Sequence, residues 1–310
     1  LETTERKPIR PEPEDESERY RFDWNSPILI SPHSPQTIYY GGNRLFKSTD
    51  RGDTWNRTDD LTKNQDRDEM PIMGVEVTDD TPSRHDGIST FGQISSISES
   101  PRHEGVLYVG TDDGNLQVSQ DGAATWQEVA RMIPGLPEGT YVSRVQASYH
   151  ADARVYATMD GHRSDDYSVY VYVSEDYGDS WRSIASNLAD GHTMNVIREH
   201  PRNENLLVLG GELGAYITIN RGEEWHQIKG PVPTVPVDDI AIHPRENDLI
   251  LGTHGRSIWV LDDMTPLEQL SERVLASELH LFDIRDAVAY RIFNHKGNTG
   301  HKMFIAPNPP

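Results

Sequence analysis

One eight-residue pattern, S-x-D-x-G-x-x-W, recurs along this chain and limits its fold more than any other feature. Ser48-Thr49-Asp50-Arg51-Gly52-Asp53-Thr54-Trp55 returns as Ser174-Glu175-Asp176-Tyr177-Gly178-Asp179-Ser180-Trp181. A third copy starts at Ser119 and keeps Asp121 and Trp126, but has Ala123 where the glycine belongs. A fourth starts at Thr218 and keeps Gly222 and Trp225, with Asn220 in place of the aspartate. The spacing suits a tight turn between two antiparallel strands: the carboxylate accepts from turn N–H groups and glycine supplies a positive φ. The tryptophan then packs between neighbouring units and its indole N–H reaches a carbonyl. Ser48, Asp50, Gly52, Trp55, Ser119, Asp121, Trp126, Ser174, Asp176, Gly178, Trp181, Gly222 and Trp225 are therefore expected to be structural, not catalytic or metal-binding.

Upstream of each box lies a short alternating strand, at residues 37–41, 106–110, 155–158 and 206–210, with a fifth at 249–252. Four of the five follow an X-Pro turn: Ser34-Pro35, Ser100-Pro101, His200-Pro201 and His243-Pro244. The unit runs strand, turn, strand, Gly-rich turn, strand, Asp box, strand, which is one propeller blade. The expected fold class is all-β: a β-propeller of four-stranded antiparallel blades with Asp boxes. Five blades are visible, at residues 25–60, 92–130, 141–186, 192–230 and 236–263. The 24 glycines and 20 prolines in 310 residues supply the turns that so many short strands need.

The fifth unit has three strands and no box, and the first is not built as a cap. The blades are thus expected to belong to a larger ring, completed from the same longer polypeptide or from another chain. Residues 1–21, charged and Pro-rich, read as a linker or entry segment, 22–264 as the blades, and 265–310 as a short helix and the start of a following unit. A start without Met and the closing run Pro307-Asn308-Pro309-Pro310 suggest an excised or processed part of a longer protein.

A formal net charge of −21 repels a phosphate backbone, so nucleic acid is not an expected partner. No stretch approaches the roughly 20 apolar residues of a membrane span. Cysteine is absent, which removes disulfides and thiolate metal sites. Thirteen scattered histidines form no His-x-x-x-His pair, which disfavours catalytic zinc. No cofactor is expected. Asp165-Asp166 and Asp262-Asp263 leave a structural calcium open, although neither has a regular ligand spacing.

Successive antiparallel strands alternate direction, so X-Pro turns and Asp boxes share one face of the propeller. The other face gathers the turns between second and third strands and the connections between blades. It is expected to carry Asp112, Asp113, the 161–166 turn, Glu212, Asp238, Asp239 and His254-Gly255-Arg256. The longest connection, 59–90, also lies there, with Asp66, Asp68, Glu69, Asp79, Asp80, His85 and Asp86. Asp238, Asp239, Glu212 and Asp112 are the candidate catalytic carboxylates if the face holds a glycosidase groove, which needs two of them about 5 to 9 Å apart. Each fits an ordinary turn acceptor equally well. His254, Arg256, His162, Arg163 and Asp113 are the candidate ligand-binding residues. A Gly-flanked imidazole and guanidinium at a channel mouth suit a carboxylate or a peptide terminus. The competing reading pairs the arginine with a neighbouring blade's aspartate.

The boxes, taken with Gly252-Thr253-His254-Gly255-Arg256-Ser257-Ile258-Trp259-Val260-Leu261-Asp262-Asp263, resemble the bacterial sortilin-like Asp-box (BNR) repeat proteins often labelled glycosyl hydrolases. The segments 97–101 through 110–119, and Leu281-Phe282 with Arg285-Asp286-Ala287-Val288, are similar to the same family. The resemblance covers about residues 22 to 310 and implies a secreted, periplasmic or cell-surface protein of greater length. Because Asp boxes occur in sialidases, xyloglucanases and receptor propellers alike, the resemblance does not fix an activity. A sialidase would usually carry an Arg-Ile-Pro element, which is missing here. The leading expectation is an interaction module that presents a ring face to a peptide, protein or polysaccharide. The alternatives are a glycoside hydrolase and a structural subunit of a larger surface assembly.

Overall fold

The structure is a computed structural model that describes residues 7–13, 15, 17–82, 90–230 and 232–286. His85, Asp86, Ala287, Val288 and the remainder to residue 310 lie outside the described residues. Nineteen strands among the described residues form five separate antiparallel sheets. Blade 1 contains β1 (Ile28–Ile30), β2 (Ile38–Gly41), β3 (Leu45–Ser48) and β4 (Asn56–Arg57). Blade 2 contains β5 (Ile94–Glu99), β6 (Leu107–Thr111), β7 (Leu116–Ser119) and β8 (Gln127–Glu128). Blade 3 contains β9 (Tyr141–Ala147), β10 (Val155–Asp160), β11 (Tyr170–Ser174) and β12 (Arg182–Ser183). Blade 4 contains β13 (Met194–His200), β14 (Asn203–Gly211), β15 (Gly214–Thr218) and β16 (His226–Gln227). Blade 5 has three strands only, β17 (Val237–Ile242), β18 (Leu249–Thr253) and β19 (Ile258–Leu261), and is followed by α1 (Thr265–Glu268) and α2 (Glu272–Leu275).

Every sheet pairs its strands in sequence order, as a meander of tight turns dictates. The Asp boxes close the turns between third and fourth strands. Asp50 Oδ1 accepts from the Asp53 and Thr54 amides and from Ser48 Oγ, and Asp50 Oδ2 accepts from Thr54 Oγ1 at 2.6 Å. Asp121 and Asp176 repeat the scheme, and Asn220 keeps its Oδ1 half. These bonds, led by the one from Thr125 Oγ1, stabilise the charged form and bring Asp121 down to about 2. Each box also ties back to the first turn of its own blade: the amides of Arg51, Gly122, Tyr177 and Arg221 donate to the carbonyls of Gln36, Gly105, Ala153 and Asn205. Boxes and first turns therefore sit together on one face.

Alternating strands put one side chain in two toward each neighbouring blade, and the cores lie between blades. Four clusters do this in turn. Tyr39, Leu45, Ile94 and Leu107 join blades 1 and 2, while Leu116, Val118, Val142 and Met159 join blades 2 and 3. Tyr156, Val171, Ile197 and Leu209 join blades 3 and 4, while Val208, Val237 and Leu251 join blades 4 and 5. Trp181 and Trp225 are buried in the second and third of these clusters. Their indoles donate to the carbonyls of Gly178 (3.0 Å) and Ile184 (2.6 Å).

The first strands of all five blades surround a common cavity of about 520 Å³. Across it Arg144 of blade 3 and Arg198 of blade 4 converge on Asp239 of blade 5. Residues just before β1, those up to 21 expected as a linker, pack on blade 1. Tyr20 and Phe22 meet Phe46 at 4.7 and 5.5 Å between ring centroids, and Glu18 pairs with Arg44 and Arg57. Among the described residues no helix is long and apolar enough to cross a membrane, and no cluster of three or more His, Asp or Glu side chains is arranged to hold a metal ion.

Candidate ligand-binding cleft

The insertion between β4 and β5 does not stay on blade 1. The Leu61 carbonyl accepts from Asn115 Nδ2 (2.8 Å) and Gln117 Nε2 (2.7 Å), and the Lys63 and Asn64 amides donate to Asp113 Oδ2 (2.8 and 3.0 Å). Farther on, the Met73 amide donates to the Arg163 carbonyl at 3.1 Å. The insertion thus crosses blade 2 and lands on blade 3. Beneath it, on the face opposite the Asp boxes, lies a cleft of about 360 Å³.

Three elements supply its polar groups. From the insertion comes Arg67, at the start of a 3-10 turn (Arg67–Glu69) whose N-cap Asp66 accepts from the Asp68 amide. Its guanidinium lies over the Phe91 ring at 5.7 Å, and its Nε is buried without a hydrogen bond. Blade 3 contributes Arg163, whose guanidinium lies over the Tyr141 ring at 5.0 Å, and His162, whose Nδ1 is 2.6 Å from Asp160 Oδ2. Blade 2 contributes Asp112, at the turn after β6. Met70, Pro71, Ile72 and Met73 complete the wall.

Burial opposes ionisation most strongly at Asp112, which is 7% exposed, and the adjacent Asp113 adds like-charge repulsion; its carboxyl is pushed up to about 7. Its Oδ1 accepts from the Gln93 and Gly92 amides at 2.7 and 3.0 Å, and Oδ2 bonds to no described residue. Asp160 moves the other way. Burial resists its charge, but the side-chain and amide bonds from His162 outweigh it and hold the carboxyl low, while the same contact raises His162. Arg67 is lowered by burial and by the charge of Arg163 nearby. Neither arginine forms an ion pair with a described carboxylate, so two cations share a small volume in a strongly acidic chain.

The residues expected from sequence fall in several places. Asp112, His162 and Arg163 come together in the cleft. Asp113 is fully buried beneath it, with Oδ1 bound by Thr111 and Oδ2 by the insertion, so it positions the insertion and does not face a ligand. Glu212 lies close enough for its charge to help raise His162, but it does not line the cleft. Asp239 is held by two arginines in the axial cavity, and Asp238 sits 3.2 Å from His254 Nδ1 in an exposed contact. Arg256 is exposed and donates to the Gly255 carbonyl. The four candidate carboxylates are therefore not gathered at one site. Arg67, Phe91, Tyr141 and Asp160 were not singled out from sequence. Only Asp160 carried a signal, since Asp160-Gly161-His162 across a turn brings a carboxylate to an imidazole.

Residues 169–272, from β11 of blade 3 through blades 4 and 5 to the start of α2, match the family model described as sortilin, neurotensin receptor 3. The chain is similar to the sortilin-like Asp-box propellers. No curated protein matches this chain. Among solved structures, an ancestral GH74 enzyme is 17% identical with a TM-score of 0.54, over 76% of this chain and 28% of that one. The GH74 xyloglucanase from Xanthomonas campestris is 17% identical with a TM-score of 0.51, over 76% of this chain and 36% of that one. The GH74 enzyme of Niastella koreensis is 14% identical with a TM-score of 0.50, over 73% and 33%. This chain thus spans about a third of the length of these structures, and at such identities the likeness is one of fold.

Proposed function

We propose that this chain is the ligand-binding part of an extracytoplasmic sortilin-like propeller, and that the cleft between blades 2 and 3 receives a peptide or protein segment ending in a carboxylate. The observation that carries this is the pair Arg67 and Arg163, each laid on an aromatic ring and neither matched by a described carboxylate, beside a wall of Met70, Ile72 and Met73. A planar guanidinium binds a carboxylate through two parallel hydrogen bonds, and a cation–π contact with a ring holds it at the cleft in advance. The apolar wall suits the side chain next to the terminus. Calorimetry with a short peptide ending in leucine, as the free acid and as the amide, tests the reading. The acid is expected to bind at least tenfold more tightly, and Arg163→Ala to remove that preference, because a charge-assisted bond contributes about 1.5–3 kcal/mol. Equal binding of acid and amide would sink the proposal.

A second reading rests on one observation. Asp112 and Asp160 line the same cleft with their proton affinities driven apart, which is the pattern of a general acid and a base. A glycoside hydrolase would use Asp112 as the acid and Asp160 as the base. Release of sugars from a polysaccharide panel, lost in Asp160→Asn, would favour this reading over pure binding.

A further inference from the structure

We infer that Asp112 carries a proton on Oδ2 and donates it in a hydrogen bond to the bound carboxylate, so that ligand and proton enter the cleft together. This rests on the carboxylate-binding reading above and adds its regulation.

Oδ1 of Asp112 is committed as an acceptor by two backbone N–H groups, which leaves Oδ2 to bear any proton. Two adjacent buried carboxylates cannot both ionise cheaply, and the donors decide which one does. Asp113 has three, Thr111 Oγ1 and the Lys63 and Asn64 amides, spread over both oxygens. The proton therefore belongs on Asp112. The other groups facing it act in known directions. From the insertion, Arg67 favours its charge, and Lys63 is engaged by Glu138 at 3.6 Å. From blade 3, Arg163 favours its charge, Asp160 is bound to His162, and Tyr141 is half-buried with its hydroxyl held neutral. Below, Arg21 holds the Gly92 carbonyl and pairs with Asp60. A ligand carboxylate that occupies Arg67 and Arg163 removes their support for an ionised Asp112 and adds a negative charge beside it. Both changes tighten the proton. The O–H···O⁻ bond that results is of the short, charge-assisted kind.

His162 is itself titratable, its imidazole raised by the bond to Asp160, so the test is made in a His162→Gln background. N-acetyl-leucine and N-acetyl-leucinamide are titrated into this protein and into its Asp112→Asn derivative at about pH 6 and about pH 8. In the parent, affinity for the acid should fall roughly tenfold over that range, one decade per pH unit above the free carboxyl's own value, with the amide unaffected. In the derivative the Asn amide donates at every pH, and the acid should bind with no pH slope. Calorimetry in buffers of different ionisation enthalpy should show net proton uptake at about pH 8 in the parent alone. A slope that persists in the derivative, or an Asp112 carboxyl that titrates near pH 4 by ¹³C NMR while the acid still binds, overturns the proton linkage but leaves the binding reading standing. Failure of N-acetyl-leucine to bind at either pH to the chain with His162 intact overturns both.

Discussion

At the scale of single residues, Ala123 holds a conformation that the other Asp boxes give to glycine. Its φ is +81°, beside +88° at Gly52, +96° at Gly178 and +85° at Gly222. An L-residue in this region costs about 1–2 kcal/mol. The turn tolerates that cost because Ser119 Oγ still receives the Ala123 amide and Asp121 still gathers its donors. Ala123→Gly should therefore raise stability by about 0.5–1 kcal/mol, after allowing for loss of a half-buried methyl. A higher denaturant midpoint at unchanged slope is the expected result. A lower midpoint would mean that the methyl packing outweighs the backbone strain. The irregular box was visible in the sequence as a missing glycine; that its backbone still follows the regular boxes was not.

At the scale of blades, a buried tyrosine and glutamate clasp alternate interfaces. Tyr39 of β2 donates to Glu99 of β5 at 3.1 Å, and Tyr156 of β10 donates to Glu199 of β13 at 3.0 Å. Between them, Tyr108 of β6 occupies the corresponding place, but Ala147 stands where the glutamate would be, and its hydroxyl is buried without a partner. Tyr108→Phe should consequently be neutral or stabilising by up to about 1 kcal/mol. Tyr156→Phe should cost about 1–3 kcal/mol, because it strips a donor from a buried carboxylate. Thermal unfolding of the two variants checks the contrast, and equal losses would contradict it. Strand positions and turns could be read from the repeat because each blade restates them. The path of the insertion could not, since 59–90 has neither periodicity nor turn chemistry that names its landing point. For that reason Arg67 beside Asp112, and Asp113 turned inward, were beyond reach of the sequence.

At the scale of the whole molecule, both ends of the row of blades expose apolar side chains. Ile258 and Val260 of β19 are 67% and 55% exposed, whereas the corresponding Leu116 and Val118 of β7 are 0% and 3% exposed, covered by the next blade. Ile28 and Ile30 of β1 are open at the other end. Burying such side chains is worth about 1.5–3 kcal/mol each. This 310-residue chain alone should self-associate, and Ile258→Ser with Val260→Ser should shift it toward monomer in sedimentation velocity with little change in melting temperature. A wild-type chain that is monomeric at high concentration would contradict this. The insertion has a consequence of another kind. Met73 meets a carbonyl about 90 positions away, on the third blade, so the cleft cannot exist until three blades are in place. Contacts of such separation form late because the intervening chain must first be ordered. During synthesis the molecule will own its sheets before it owns a binding site, and under mild denaturation it will surrender them in the opposite order.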